Sequence, residues 1–321
     1  MTGIPLADPD QLVMPYPARV SPDLERARMR HLAWIEAQEL WPDPNTEAAY
    51  RTADFPLFAA SVHPQLRGAD LDLVTDLLGW SWLWDDSIDK PGPRQADVGQ
   101  TEQVLDTYRD ILHGRPAPHR TPLADTWRQL LQRLEERTSE QWRRRHTTLW
   151  EATFRSCLDE ARNNTAGRIP TFHEYLPLRR EAGGTKIAFV WAEAAGRSEP
   201  PSHVHASEDL QTLVRDAADV VDMTNDLFSV RNEWSTGNTD NIILVLAQQE
   251  GCSWAAAARH AEQITNAAMA HFQETEQHFL ASSLYQGLAP TSRADTDVLI
   301  ETMKTFMSGS LNWHRATARY R

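Results

Sequence analysis

Apolar residues recur at helical spacing along nearly the whole of this 321-residue chain, and no alternating strand pattern bounded by turns interrupts them. Short loops separate the periodic segments, and the sequence contains neither a repeat of fixed period nor a low-complexity tract. The pattern predicts an all-α fold and a single domain over residues 1–321. The predicted helices cover 69–89, 121–137, 139–164, 171–184, 206–235, 253–284 and 291–319, and one more is expected to start with Ser21 as its cap and Pro22 in its first turn.

The chain is acidic, with a formal net charge of −13. Because phosphate-rich surfaces repel an acidic protein, we expect no nucleic-acid partner and no membrane partner. Binding of an anionic substrate would therefore require a few basic side chains or metal ions at the site to neutralise its charge. The two cysteines, Cys157 and Cys252, allow neither a disulfide framework nor a Cys-based zinc site, which fits a reducing, cytoplasmic location.

The N-terminal sequence MTGIPLADPDQLVMPYPARVSP has neither a basic start nor an apolar run. We therefore do not expect it to act as a signal peptide. Elsewhere, no apolar stretch approaches the roughly 20 residues that a helix needs to span a bilayer.

The segment WDDSID places three carboxylates, Asp85, Asp86 and Asp89, at the end of the predicted helix 69–89. These carboxylates repel one another, and the helix dipole disfavours anions at this end unless a cation binds there. One interpretation is an acidic helix end that faces water. The other is a magnesium site, because Mg²⁺ prefers carboxylate oxygens, and the apolar and aromatic LLGWSWLW that comes before favours it.

A second group of oxygen ligands follows one ridge of the predicted helix 206–235. Asn225, Ser229 and Glu233 lie four residues apart in turn, so they drift only about 40° per step around the helix. They could be incidental polar positions on an exposed face, but apolar neighbours such as Val221 and Leu227 indicate that much of this helix is buried. Together the two groups predict a two-sided magnesium site that would bind a diphosphate.

Basic and aromatic residues near these motifs could complete such a site. Arg179 and Arg180 precede the pair Gly183-Gly184, and we expect at least one of these arginines to pair with a surface acid. Of the many tryptophans, most are expected to pack in the core, and Trp82 is the best candidate to stabilise a cation with its ring face. Trp80, Trp84, Trp191 and Trp313 are the other tryptophans considered.

With these residues, the chain resembles the bacterial class I terpene synthases over nearly its full length. Asp85-Asp86-x-x-Asp89 is similar to the aspartate-rich motif of that family, and the segment from Asn225 to Glu233 is similar to its second metal-binding motif. Arg179 lies 46 residues before Asn225, where the family has a diphosphate-sensing arginine.

Further parts of the family pattern are present, with two departures. Gly183 corresponds to the effector position of a helix break, and the C-terminal WHRATARY resembles the motif that ends in Arg319-Tyr320. Asn232 stands where the family often has a lysine that contacts diphosphate. Ala182 stands at the linker position of the helix break, where a polar side chain would allow coupling.

The resemblance implies a helical bundle with a central apolar cavity and a Mg²⁺-dependent lyase that cyclises a linear isoprenyl diphosphate. Farnesyl diphosphate, C15, is the expected substrate; geranylgeranyl diphosphate, C20, is the alternative, and a C10 substrate is less favoured. Three Mg²⁺ ions are implied, and a homodimer is compatible with the family. The implied metal ligands are Asp85, Asp86, Asp89, Asn225, Ser229 and Glu233; among them, Asp86 and Asp89 are expected to organise water or to pair with arginine. The implied diphosphate contacts are Arg179, Arg319 and Tyr320. The implied catalytic residues are Arg179, Gly183 and Trp82.

Two other functions remain open from the sequence. A chain-elongating isoprenyl diphosphate synthase uses the same metal chemistry, but such enzymes carry two aspartate-rich motifs, and here the second motif is Asn-Ser-Glu. A non-catalytic helical scaffold would use its acidic and aromatic surface to bind a partner, and it would not bind diphosphate in a Mg²⁺-dependent way.

Overall fold

The computed structural model describes residues 11–89 and 98–320, which are predominantly helical and contain no β-strand. The all-α prediction is confirmed. The helices are α1 Leu24–Ala37, α2 Pro44–Ala53, α3 Phe55–Val62, α4 Gly68–Asp89, α5 Val98–Leu112, α6 Pro122–Glu135, α7 Glu140–Ala166, α8 Phe172–Ala182, α9 Thr185–Gly196, α10 Ser202–His205, α11 Glu208–Thr236, α12 Ile242–Glu250, α13 Trp254–Ala281, α14 Ser283–Gln286 and α15 Pro290–Ala316.

Most predicted helix ends agree with the structure because their capping side chains are visible in the sequence. Thr171 caps α8 in a capping box with Glu174, and Ser139 accepts a hydrogen bond from the backbone N–H of Trp142 at the start of α7. The prediction that Ser21 caps the first helix is wrong. That helix begins at Leu24, because the Ser21 hydroxyl instead donates a hydrogen bond to the carbonyl oxygen of Leu66, at 2.9 Å.

Helices α9 and α12 were missed because they are almost entirely buried, so their apolar residues form no one-sided stripe. In α9, ten of the twelve residues are buried, from Thr185 to Ala195 with the exception of Lys186. In α12, the apolar run from Ile242 to Leu246 is buried on all sides. A helix that is apolar all round cannot be told from a buried strand by periodicity alone.

Helices α4 and α11 lie on opposite sides of an apolar cavity. Helix α4 packs against α1, α3, α6 and α9, whereas α11 packs against α8, α9, α12, α13 and α15. The break between α8 and α9 forms part of the wall between them. The cavity wall is formed by Phe58 of α3, Leu78, Ser81, Trp82, Trp84 and Asp85 of α4, Trp150 and Thr153 of α7, Arg179, Ala182, Gly183, Gly184, Thr185, Ile187, Ala188 and Trp191 around the break, Val221, Asp222 and Asn225 of α11, and Phe306, Ser310 and His314 of α15.

One large hydrophobic cluster joins most of the helices, and a smaller one joins α8, α11, α12 and α13. Helix α15 approaches α3 very closely at Gly309, where an added Cβ atom would lie 2.3 Å from the carbonyl oxygen of Ser61. Among the helices that the structure describes, none combines the length and the apolar character needed to cross a membrane.

Candidate active site

The ends of α4 and α11 place both predicted ligand groups around one opening above the cavity. Asp85 and Asp86 face it from α4, and Asn225, Ser229 and Glu233 face it from α11. Two segments that are far apart in sequence are therefore brought together, as the two-sided arrangement requires. The side chain of Asp89 lies outside the part of the chain that the structure describes.

Carboxyl groups reach this opening from both helices, Asp85 and Asp86 from α4 and Glu233 from α11. Burial and the neighbouring Asp86 raise the pKa of Asp85 to about 6, against the opposing effect of Arg319 and Arg179. Among the described side chains, no three histidine, cysteine or acidic groups come together closely enough to hold a metal ion. A cation at this opening would therefore need the amide and hydroxyl oxygens of α11 as well as carboxylates.

On α11, the ligand candidates lie in a polar environment at the mouth of the cavity. Burial, and then Asp226, raise the pKa of Glu233 to about 7, and Asn241 donates a hydrogen bond to its carboxylate at 2.8 Å. The Ser229 hydroxyl is close enough to lower that pKa slightly, but it makes no hydrogen bond of ordinary geometry and is buried. Asn232 lines the same opening and is exposed.

The Asn225 amide is held in one orientation. Its oxygen accepts a hydrogen bond from Arg179 at 3.0 Å, and its nitrogen lies 3.1 Å from His314 Nε2 and 3.0 Å from the Tyr320 hydroxyl oxygen. His314 Nδ1 lies 2.8 Å from the Ser310 carbonyl oxygen, so Nδ1 carries the proton and Nε2 accepts. Because burial lowers the pKa of His314 to about 4, the ring stays neutral at physiological pH.

Arg179 is tied to α11 rather than free in the cavity. Its guanidinium donates hydrogen bonds to Asp226 at 2.9 Å and to Asn225 at 3.0 Å. Asp226 is itself fully buried, and it also accepts hydrogen bonds from the Tyr175 hydroxyl and from the backbone N–H of Ile242. The prediction that at least one of the two arginines pairs with a surface acid is wrong, because both acidic partners are buried. Arg180 pairs with Asp219 at 2.6 Å and does not line the cavity.

The C-terminal Arg319-Tyr320 pair folds over the opening. Arg319 donates a hydrogen bond to Asp86 at 2.8 Å, which links the chain end to the aspartate-rich motif. Its guanidinium carbon lies 4.8 Å from the centre of the Trp82 ring and 5.4 Å from the centre of the Phe55 ring. The cation nearest to the Trp82 face is therefore an arginine of the protein.

The two glycines between α8 and α9 are needed for different reasons. Gly184 has a φ of +72°, which side chains rarely adopt, and it starts α9 in a new direction. Gly183 has an ordinary φ, but a Cβ atom there would lie 2.6 Å from the Asp222 carboxyl group. The broken helix therefore exposes backbone to the cavity, and Ala182 beside it offers no polar side chain.

Several predicted aromatic residues do line the cavity, and others do not. Trp82, Trp84 and Trp191 contribute to its wall, together with Trp150, which the sequence did not single out. The idea that Trp80 or Trp313 lines it is wrong. Both are fully buried in the core, where their indole N–H groups donate to backbone carbonyls of Leu123 and Ala53.

His146 orients part of this aromatic wall. Its Nε2 accepts hydrogen bonds from the indole N–H groups of Trp150 at 3.0 Å and of Trp191 at 3.1 Å. Burial lowers the pKa of His146 to about 3, so the ring stays neutral and remains an acceptor.

Three polar residues around the cavity were missed by reasoning from the sequence: Asp222, Asp226 and His314. Asp222 lies three residues before Asn225 and seven residues before Ser229, so helical spacing places all three on one face of α11. This spacing is a signal from which Asp222 could have been identified. Asp226 belongs to the segment from Asn225 to Glu233, but nothing in the sequence indicated that it would pair with Arg179. No sequence signal distinguishes His314, because its role depends on how α15 packs against α11.

Residues 76–271 match the family described as terpene synthase family 2, C-terminal metal binding. Pentalenene synthase from Streptomyces arenae is 30% identical over 323 residues, covering 96% of this chain and 91% of that protein. A 7-epi-alpha-eudesmol synthase from Streptomyces viridochromogenes, whose name adds that it cyclises (2E,6E)-farnesyl diphosphate, is 24% identical over 315 residues, covering 96% of this chain and 90% of that protein. The crystal structure of germacradien-4-ol synthase from Streptomyces citricolor superposes with a TM-score of 0.84 and 27% identity, covering 95% of this chain and 98% of that chain.

The fold and the site define a helical bundle with oxygen-bearing side chains around the mouth of an apolar, aromatic cavity. The chain belongs to the terpene synthase family and is an enzyme of the bacterial class I type. The resemblance noted from the motifs is thereby confirmed, and the matched region is the family's metal-binding domain.

Proposed function

We propose that this enzyme ionises farnesyl diphosphate, a linear C15 isoprenyl diphosphate, and cyclises the resulting carbocation to a sesquiterpene with release of diphosphate. The observation that carries the proposal is the shared opening, where Asp85 and Asp86 of α4 face Asn225, Ser229 and Glu233 of α11 directly above the apolar cavity. The farnesyl diphosphate named for the Streptomyces viridochromogenes relative supports the choice of C15.

The residues at the opening fit magnesium ions. Carboxylate, amide and hydroxyl oxygens are the ligands that hard divalent cations prefer, and the buried Ser229 hydroxyl has no hydrogen-bond partner of ordinary geometry. We propose that three Mg²⁺ ions bind at this opening. Asp85 would be their main ligand on α4, and Asn225, Ser229 and Glu233 would be the ligands on α11. Asp86 already accepts a hydrogen bond from Arg319, so we assign it to pairing with arginine rather than to binding the metal directly. We assign Asp89 to the same indirect role. Bound Mg²⁺ would neutralise the diphosphate and stabilise the charge that develops as it leaves.

Arg179, Arg319 and Tyr320 are the groups of this chain that would contact the diphosphate. Each of them already contacts a motif residue at the opening, Arg179 and Tyr320 through Asn225 and Arg319 through Asp86. A diphosphate would compete for the two guanidinium groups, which draws α8 and the C-terminal segment toward the substrate. Their closure over the opening excludes water, which would otherwise quench a carbocation.

The cavity below the opening would hold and shape the hydrocarbon chain. Its wall combines the rings of Trp84, Trp150 and Trp191 with the exposed backbone of the Gly183 break. Aromatic faces stabilise nearby positive charge through the ring quadrupole. The orientation that His146 imposes on two of these rings keeps the wall rigid.

Incubation with C10, C15, C20 and C25 isoprenyl diphosphates tests this function directly. With Mg²⁺ present, gas chromatography of the extract should show a cyclic C15 product, and chelation of the metal should abolish it. A cyclic C20 product without a C15 product would assign the substrate to geranylgeranyl diphosphate instead. Product that forms only when isopentenyl diphosphate is added would indicate a chain-elongating synthase.

Titration calorimetry with Mg²⁺ and inorganic diphosphate separates an enzyme from a scaffold. Heat that saturates only when both are present is the expected result, whereas its absence would contradict the proposed site. The single-domain organisation, the homodimer, the cytoplasmic location and the lack of a nucleic-acid partner stay predictions.

A further inference from the structure

Four buried aspartates follow one another along α11, and one of them differs from the rest. Three pair with a cationic or ionisable side chain of a neighbouring helix, namely Asp216 with His271, Asp219 with Arg180 and Asp226 with Arg179. Asp222 forms no ion pair among the residues that the structure describes. Its Oδ1 accepts a hydrogen bond from the Thr185 hydroxyl at 2.6 Å, and its Oδ2 is buried without a partner.

Asp222 lies in the wall of the apolar cavity, below the proposed metal ligands. It is 4% exposed and borders the cavity together with Val221, Thr185 and Trp191. Both of its carboxyl oxygens lie 2.6 Å from the position that a Cβ atom of Gly183 would occupy. The absence of a side chain at Gly183 is therefore what makes room for this carboxyl group beside the helix break.

A carboxyl group in this position can both lose and gain a proton near neutral pH. Burial raises the pKa of Asp222 to about 7, although the charge of Arg179 and the Thr185 hydrogen bond oppose the increase. Groups that titrate near the working pH are the most effective in proton transfer. The unpartnered Oδ2 is the atom available for it.

We propose that Asp222 is a catalytic residue that accepts the proton lost by the carbocation at the end of cyclisation. This inference rests on the proposed function. A C–H bond next to the cationic carbon breaks, its electron pair becomes the new carbon–carbon double bond of the product, and the proton binds Asp222 Oδ2. The proton then leaves to water when the cavity opens, which restores the carboxylate.

The variant Asp222→Asn tests this role with almost no change of shape, because the amide oxygen can still accept the Thr185 hydrogen bond. With the substrate that the wild-type enzyme accepts, we expect diphosphate release to stay within about threefold of wild type, since ionisation does not need this base. The share of the main olefin should fall at least about tenfold, in favour of olefins that lose a different proton or of alcohols formed by water capture. Gas chromatography and a diphosphate assay supply both readouts.

Asp219→Asn is the matched control, because Asp219 lies one turn earlier on α11 and does not line the cavity. It should keep the wild-type product distribution. An unchanged distribution in Asp222→Asn would overturn the proposal, and so would the same altered distribution in both variants. If Asp222→Asn does not fold, as judged by circular dichroism, Asp222→Ser replaces it with the same expected outcomes.

Failure of the proposed function gives a different result. In that case the wild-type protein itself releases no diphosphate from any isoprenyl substrate. A wild-type enzyme that forms an olefin whose share does not depend on Asp222 contradicts only the role of Asp222.

Discussion

The Arg319 guanidinium carbon lies 4.8 Å from the centre of the Trp82 ring, while the same group donates a hydrogen bond to Asp86 at 2.8 Å. The C-terminal arginine is thus held between an aromatic face and the aspartate-rich motif. Trp82 was expected from the sequence to stabilise a substrate carbocation. Its position under Arg319 gives it a second role, which is to orient the guanidinium group that we propose to contact the diphosphate.

Trp82→Ala should weaken the binding of Mg²⁺ and diphosphate about 5- to 30-fold, because a partly desolvated cation–π contact contributes about 1–2 kcal/mol. Trp82→Phe keeps a ring under Arg319 and should retain most of the affinity. Titration calorimetry measures the loss, and the exposed Trp234 provides a control variant, Trp234→Ala. An unchanged affinity together with a changed product mixture would show that Trp82 contacts the substrate cation instead.

Asp85→Ala and Asn225→Ala should each lower turnover at least about a hundredfold, because each removes an oxygen ligand of the proposed magnesium site. Both variants should still fold, since each replaces one side chain at an opening rather than in the core. Product formation and circular dichroism check the two expectations. Asp159→Ala, which changes an exposed aspartate of α7, should leave turnover unchanged. Wild-type turnover in either ligand variant would contradict the assignment.

Gly183→Ala should destabilise the protein more than Gly184→Ala. At position 183 the new Cβ atom meets the Asp222 carboxyl group, and overpacking of this kind costs about 1–3 kcal/mol. At position 184 no atom lies within 4 Å, so the cost is the strain of a positive φ, about 1 kcal/mol. Thermal unfolding measures both.

The double variant Gly183→Ala with Asp222→Ala checks the cause of the first effect, because it removes the carboxyl group that the new methyl group meets. We expect it to be more stable than Gly183→Ala alone. A double variant that is no more stable would mean that Gly183 is needed for its backbone and not for the space it leaves.

The stability of the metal-free protein should fall as the pH rises from about 4 to about 7. The pKa of Asp222 is near 3.8 in an exposed carboxyl group and about 7 in the folded protein, so the folded state keeps a proton that the unfolded chain releases. The free energy of unfolding therefore decreases with pH across this window. Asp222→Asn removes the contribution of Asp222 to this decrease, while Asp85 and Glu233, whose pKa values are also raised, keep theirs. The melting temperature of Asp222→Asn relative to wild type should therefore rise by several degrees up to pH 7 and then level off.

Scanning calorimetry at a series of pH values measures this difference directly. Asp219→Asn is again the control, and it should lower the melting temperature because it breaks an ion pair with Arg180. A difference between Asp222→Asn and wild type that does not vary with pH would contradict the burial of an unpaired carboxyl group.

Reasoning from the sequence predicted where the motif residues lie on their helices, because that placement depends only on local spacing. The spacing of Asp85 and Asp89, and of Asn225, Ser229 and Glu233, is four residues per step, which places oxygen-bearing side chains on single helix faces whatever the rest of the chain does. It was less successful with aromatic residues. Trp80 and Trp82 are two residues apart on one helix, yet the first is sealed in the core and the second lies under Arg319 at the opening. Periodicity cannot decide between them, because it does not report which neighbouring helix covers each face.

The sequence by itself determined the helical class, the placement of the two oxygen-rich motifs on their helices, and the glycine pair that breaks the helix, because each follows from spacing or backbone chemistry within one segment. Only the tertiary structure decided which polar side chains meet. The contacts of Arg179 with Asp226, of His314 with Asn225 and of Arg319 with Trp82 join helices that are distant in the chain. The unpaired carboxyl group of Asp222 likewise depends on the packing of α11 against the break at Gly183, since burial and the lack of a partner are properties of the folded surroundings and not of the residue.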